Sequence, residues 1–243
     1  PAIGAEAPAS ESASHSVHGV YLPVDRQLSR GVAEAQARIE QGEFTEAIAF
    51  LQQVLDQPED SFLPDASRAR HASLKQTVRR ILASLPAEGQ SAYVLQYGAR
   101  ARKRLSTALA EGNLTELARV ADIFFATEAG REAALLIAQR QHHAGNARAA
   151  VRTYDRLLRD PRAVAAFDPQ LSLLAATSHF AAGDAARANA ILSELASRAR
   201  GQQVEIGGRA GRYDLSRLAT PVAFEELFGT TARTNPASND WLM

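Results

Sequence analysis

Cysteine is absent from this chain, which removes disulfides, thiolate metal sites and a cysteine nucleophile together. The compartment stays open, because a reducing interior and an envelope where thiols mispair both suit such a sequence. Long apolar runs are missing as well. One of the longest, Ala133 to Ala138, falls far short of the roughly 20 residues that cross a bilayer, so no transmembrane span is expected. Charge of either sign is not in excess: 27 Lys and Arg face 27 Asp and Glu, and the whole-molecule field favours neither nucleic acid nor an anionic membrane. The motifs GxSxG, HExxH, the phosphate loop and GxGxxG do not occur, so catalysis has no visible carrier, and neither a cofactor nor an enzymatic activity is expected.

What is present is ordinary globular composition, 46% hydrophobic and 22% charged over 243 residues, arranged in a repeating way. From Val24 to about Ser197, Ala, Leu, Gln, Glu and Arg dominate and β-branched residues are sparse, which predicts helices and little strand. The breaks between helices recur at Gly42, Gly112, Gly145 and Gly183, spaced 70, 33 and 38 residues apart. A glycine suits such a place because a helix commonly ends on a left-handed residue. Offsets of five, nine and twelve from these glycines carry Ala47, Leu51 and Val54; Leu117, Ala121 and Phe124; Ala150, Tyr154 and Leu157; and Ala188, Leu192 and Leu195. Those offsets share one helix face, so four second helices are predicted to bury equivalent surfaces. Seven residues before the glycines stand Ala35, Ala138 and Ala176, with Leu105 in the remaining copy.

This frame resembles the tetratricopeptide repeat, a helix, turn and helix of about 34 residues. The match is fullest at Gly145, Ala150, Tyr154, Leu157 and Pro161, and at Gly42, Ala47, Leu51, Val54 and Pro58. The resemblance implies an all-α chain, a tetratricopeptide-like right-handed α-solenoid of antiparallel helix pairs, over residues 20–200. It also implies a protein or peptide partner held along the first helices, where the family's contact offsets fall on Gln36, Arg102, Gln139, His142 and Thr177. The same positions could equally be solvent-facing.

Between the first two glycines the repeat is irregular. Residues 57–65 read as a loop. The stretch DASRARHASLKQTVRRILASLP, from Asp65, predicts a helix stopped by Pro86, with Leu74, Val78, Ile81, Leu82 and Leu85 on its apolar face. Another helix follows from AEGQSAYV. Residues 1–19, rich in Ala, Ser, Pro and Gly, predict a disordered lead-in, of the kind that follows a removed secretory signal or that a cut in the chain would leave. Residues 201–229 predict a small β-hairpin, Val204 to Ile206 and a strand ending near Tyr213 about a Gly207-Gly208 turn, then a short capping helix from Pro221 to Gly229. Residues 230–243 predict a linker toward a further domain. The order GVYLPVDRQL, helical array, VEIGG hairpin and a terminal Trp241 and Met243 resembles the N-terminal region of bacterial envelope proteins that continue into a PQQ-binding-like β-propeller. That resemblance implies the periplasm or cell envelope and a non-catalytic scaffold role.

The histidines offer little chemistry. His142 and His143 are adjacent and point about 100° apart on a helix, while His71 and His179 have no carboxylate at helical spacing. Between Asp65 and Arg104 nine bases, among them Arg68, Lys75, Arg79, Arg80, Lys103 and Arg104, face only two acids. This is either a solvated basic face or a surface for an anionic partner. Nucleic acid is disfavoured, since no aromatic residues interleave the run as base stacking would ask. The oligomeric state is open.

Overall fold

In the computed structural model the described residues are 26–64, 71–199, 202–205, 212–214 and 222, and they are mostly helical. In chain order they form α1 (Arg26–Glu40), α2 (Phe44–Asp56), β1 (Phe62–Pro64), β2 (His71–Ser73), α3 (Leu74–Ala83), α4 (Ala87–Ala110) and α5 (Leu114–Ile123). Then come α6 (Glu128–His143), α7 (Ala147–Leu158), α8 (Pro161–Phe167), α9 (Gln170–Ala181), α10 (Ala185–Arg198), β3 (Gln203–Glu205) and β4 (Arg212–Asp214).

Four helix pairs turn at the four recurring glycines, which all adopt positive φ between 61° and 84°. That left-handed region carries a steric penalty for other residues. Each glycine sits in the same capping geometry. The amide after it reaches back to a carbonyl five residues earlier, as in Glu43 to Arg38 at 2.9 Å and Asp184 to His179 at 2.9 Å, and the glycine amide itself donates three residues back. These are the two bonds of a Schellman cap. On the far side of two turns, Asn113 and Asp184 accept the N–H of Glu116 and Arg187 at 3.0 Å, so the next helix starts at once.

The twelve second-helix positions at offsets five, nine and twelve are all buried, as are Ala35, Leu105, Ala138 and Ala176. Ala150 and Tyr154 show no exposure at all. Two apolar clusters result. One joins α1, α2, α3 and the start of α4; the other runs from the later part of α4 to α10. Tyr97 and Ile123 pack against both.

The irregular unit departs from the expectation in two ways. Residues 62–64 are not loop but a strand, paired antiparallel with 71–73 in the register Phe62 to Ser73 and Pro64 to His71. Of the helix expected from Asp65, residues 65–70 lie outside the described residues, 71–73 are strand and the described helix begins at Leu74. Asp60 explains the late start: its carboxylate accepts the Ser73 hydroxyl at 2.5 Å and the Lys75 amide at 3.1 Å. Ser73 in turn accepts the Gln76 amide at 2.9 Å, and this cap decides where the helix begins. A further short helix, α8, was not expected; Asp160 caps it and Pro161 opens it, the favoured first-turn place for proline.

β3 pairs antiparallel with β4, Gln203 to Asp214 and Glu205 to Arg212. The expected lead-in 1–19, Ile206, the Gly207-Gly208 turn, the linker 230–243 and all of the capping helix from Pro221 except Val222 lie outside the described residues.

Candidate functional site

Among the five positions assigned to the first-helix groove, the structure brings some into contact with neighbouring first helices and leaves others apart. Arg102 on α4 reaches α6, pairing with Glu128 at 3.2 Å and Glu132 at 2.5 Å, and the bond to Glu132 holds its guanidinium further toward the charged form. His142 on α6 meets α9, its Nδ1 lying 2.8 Å from the Ser178 hydroxyl. Burial, then the neighbouring His143, pushes the His142 imidazole below its usual range. The Thr177 hydroxyl donates to the Leu173 carbonyl of its own helix at 2.6 Å. Gln139 lines a depression of about 450 Å³ with Leu136, Arg140, His143 and Ala144. Gln36 is exposed on α1, a helix that packs on α2 and α3. Arg102 and His142 therefore link successive first helices, so a partner would meet an already bonded surface there.

The basic run divides in space, and acids distant in sequence supply what the run lacks. Arg100 pairs with Asp56 at 2.9 Å and Arg104 with Glu116 at 2.5 Å; both guanidinium groups also lie over the Phe124 ring, at 5.4 and 5.5 Å. Arg79 donates to the Asp122 carbonyl at 3.1 Å, and Lys75 donates to the Gln57 carbonyl. Arg80 and Lys103 are exposed and carry no ion pair among the described residues. Arg68 and Arg70 lie outside the described residues.

The histidines have partners that helical spacing did not reveal. His179, buried on α9, has its Nε2 3.2 Å from Asp155 on α7 and its Nδ1 3.5 Å from the Asp184 carboxylate. The fold supplies both, one from 24 residues earlier. Ser178 is fully buried and returns a bond to the Leu174 carbonyl at 2.8 Å, so its closeness to His142 does not present a hydroxyl to a substrate. Among the described residues no three His, Asp or Glu side chains gather closely enough to hold a metal ion, and no helix is long and apolar enough to cross a membrane.

A feature the sequence reading missed is a cleft of about 970 Å³ at the ends of the second helices. Arg79 and Arg80 reach it from α3, Arg156 from α7, Arg159 and Arg162 from the corner into α8, with Asp122 and Asp160 among them. Arg156 lies 3.8 Å over the Phe125 ring and 3.2 Å from Asp122; burial above all, and then repulsion from Arg79 against the pull of Asp122, disfavours its charged form. Asp160 is held by Arg162 at 3.1 Å and Arg131 at 3.8 Å. A signal was present in the sequence: Arg156, Arg159 and Arg162 recur every third residue into a proline-opened helix.

A profile of the tetratricopeptide repeat family matches residues 34–60, the unit that turns at Gly42. No curated protein and no solved structure matches the chain.

Proposed function

We propose that the chain is a non-catalytic protein–protein interaction or scaffold module of a larger cell-envelope protein. In this reading residues 20–200 form one right-handed solenoid whose first helices present the groove to a protein or peptide. The observation that carries it is the coincidence at Gly42, where the family match to 34–60 falls on a helix turn whose capping geometry recurs at Gly112, Gly145 and Gly183. Stacked helix pairs of this kind build extended binding surfaces. The periplasm or envelope, and a β-propeller beyond residue 243, rest on the order of sequence features alone and belong to the same proposal.

Residues 201–229, as a hairpin and capping helix, would close the array, and 230–243 would lead onward. The alternative, a binder of an anionic polymer through 65–104, draws less support, because Arg79, Arg100, Arg102 and Arg104 all have acidic partners.

Capture from a bacterial envelope extract tests the module, with the chain compared against the variant Gln36→Ala, Arg102→Ala, Gln139→Ala. Loss of defined proteins from the variant is the expected result. Identical captured sets for both would remove the groove from the proposal, and no capture by the native chain would remove the module.

A further inference from the structure

The arginine cleft is built mainly from elements other than the first helices that carry the groove positions. Its walls come from the C-terminal ends of the second helices α2, α5 and α7, together with α3, α8 and Gln90 near the start of α4, whereas the groove positions sit further along α4 and on α1, α6 and α9. A helix end supplies roughly half an elementary negative charge, which helps arginines gather here. Five arginines nevertheless line the cleft with two aspartates, so even with three helix ends roughly one and a half positive charges are left without compensation.

The two aspartates are already shared. Asp122 lies between Arg79 at 3.9 Å and Arg156 at 3.2 Å, and Asp160 between Arg162 and Arg131. Arg80 and Arg159 are exposed and have no carboxylate partner among the described residues; Arg159 donates only to the Asp155 carbonyl of its own helix, at 2.9 Å. Their planar donor forks match a carboxylate. Beside them Ile123, Phe125 and Ala126 are half-buried and line the same cleft. An apolar wall next to free guanidinium groups fits an acidic residue followed by an apolar one better than a bare inorganic anion. Nucleic acid would need several rings for its bases to stack on, and among the described residues lining the cleft Phe125 is the one aromatic, with Arg156 over one of its faces. A concave site also fits a chain segment better than a membrane surface.

We propose that this cleft takes an acidic peptide segment of a partner protein, its carboxylates at Arg80 and Arg159 and a neighbouring apolar side chain against Ile123, Phe125 and Ala126. The proposal rests on the protein-binding reading and adds a second surface to it, drawn mainly from other helices.

Fluorescence anisotropy of the full chain with a short labelled peptide of alternating Glu and Leu tests it. Native chain should bind, and binding should weaken with added salt. Arg80→Gln with Arg159→Gln should weaken it about tenfold or more, the effect of losing one charge-assisted bond, while Arg148→Gln, an exposed arginine of α7, should leave it unchanged. Ala126→Glu, placing a carboxylate against the site, should weaken it too. A Gln-for-Glu peptide should not bind.

Equal affinity of native and Arg80/Arg159 variants overturns the proposal, as does absence of peptide binding. Displacement of the peptide by inorganic phosphate, oligo-dT or anionic vesicles at lower concentration than by unlabelled peptide would assign the cleft to those anions and overturn it as well. A chain that binds the peptide but captures no envelope protein loses the module reading alone. One that captures partners through the first helices but not the peptide loses the cleft alone.

Discussion

Tyr93 and Tyr154 are both buried in helix pairs, and burial raises the pKa of each above the usual phenol range, yet their hydroxyls meet different surroundings. Tyr93 donates to the Gln52 side-chain oxygen at 2.6 Å, and Gln52 donates on to Asp56 at 3.1 Å. The Tyr154 hydroxyl has no partner among the described residues. Removing a hydroxyl that satisfies a buried acceptor leaves that acceptor stranded, so Tyr93→Phe should destabilise by about 1–2 kcal/mol. Tyr154→Phe removes an oxygen that gains nothing from the fold and should be neutral or stabilising within about 0.5 kcal/mol. Urea unfolding of both variants checks the contrast; equal losses would mean the Tyr154 hydroxyl is bonded. Gly130 presents a different single-atom constraint. A Cβ there would stand 1.9 Å from the Phe124 carbonyl oxygen, in the turn between α5 and α6. Because backbone rather than a flexible side chain would have to move, Gly130→Ala should cost about 1–3 kcal/mol, and an unchanged melting temperature would show that the turn yields.

Among the elements, the second helices were legible from spacing alone, since a face that must be buried in every copy repeats its apolar residues after every capping glycine. Leu117 shows the tolerance of that code: it replaces a small residue and is still only 6% exposed. What spacing could not reveal depended on contacts distant in sequence. The β1 and β2 ribbon is held by Asp60, which bonds Ser73 and Lys75, so residues 71–73 pair as strand and the helix starts at Leu74. Likewise the arginines of the cleft come from 79–80 and 156–162, and Asp122, which Arg79 of α3 and Arg156 of α7 both meet, joins them into one surface. The groove offsets were legible as positions but not as states, because Glu132 and Ser178 occupy Arg102 and His142. The His142 contact gives the junction of α6 and α9 a pH dependence. Its folded pKa lies below the unfolded value, so the unfolded chain takes up the proton first. Stability from this group is whole above about pH 6.5 and is lost as pH falls through the folded value. The native chain should therefore lose more melting temperature between about pH 7.5 and 5.5 than His142→Gln does; parallel curves would show that His142 is free to protonate in the fold.

For the whole molecule, the division into two apolar clusters bridged by α4, with Tyr97 and Ile123 touching both, bears on how the chain opens. Repeat arrays gain stability from each unit and from the interface with the next, so a lesion is felt most by its neighbours. Leu192 is fully buried in α10, whose principal neighbour is α9, and Leu192→Ala should cost about 2–5 kcal/mol through lost burial and a cavity. If units open separately, amide hydrogen exchange in this variant should speed up across α9 and α10 and much less in α1 and α2, where Val32, Ile48 and Leu51 belong to the other cluster. A uniform rise would instead mean that α4 couples the clusters into one cooperative unit. The difference matters for binding, because the first helices and the arginine cleft both draw residues from elements on either side of α4. In a chain of independent units, a partner seated in the cleft touches α3 from one cluster and α7 from the other, and would tie them together. Adding the Glu and Leu peptide should then slow exchange in α3 and α7 alike, even though the two belong to different cores.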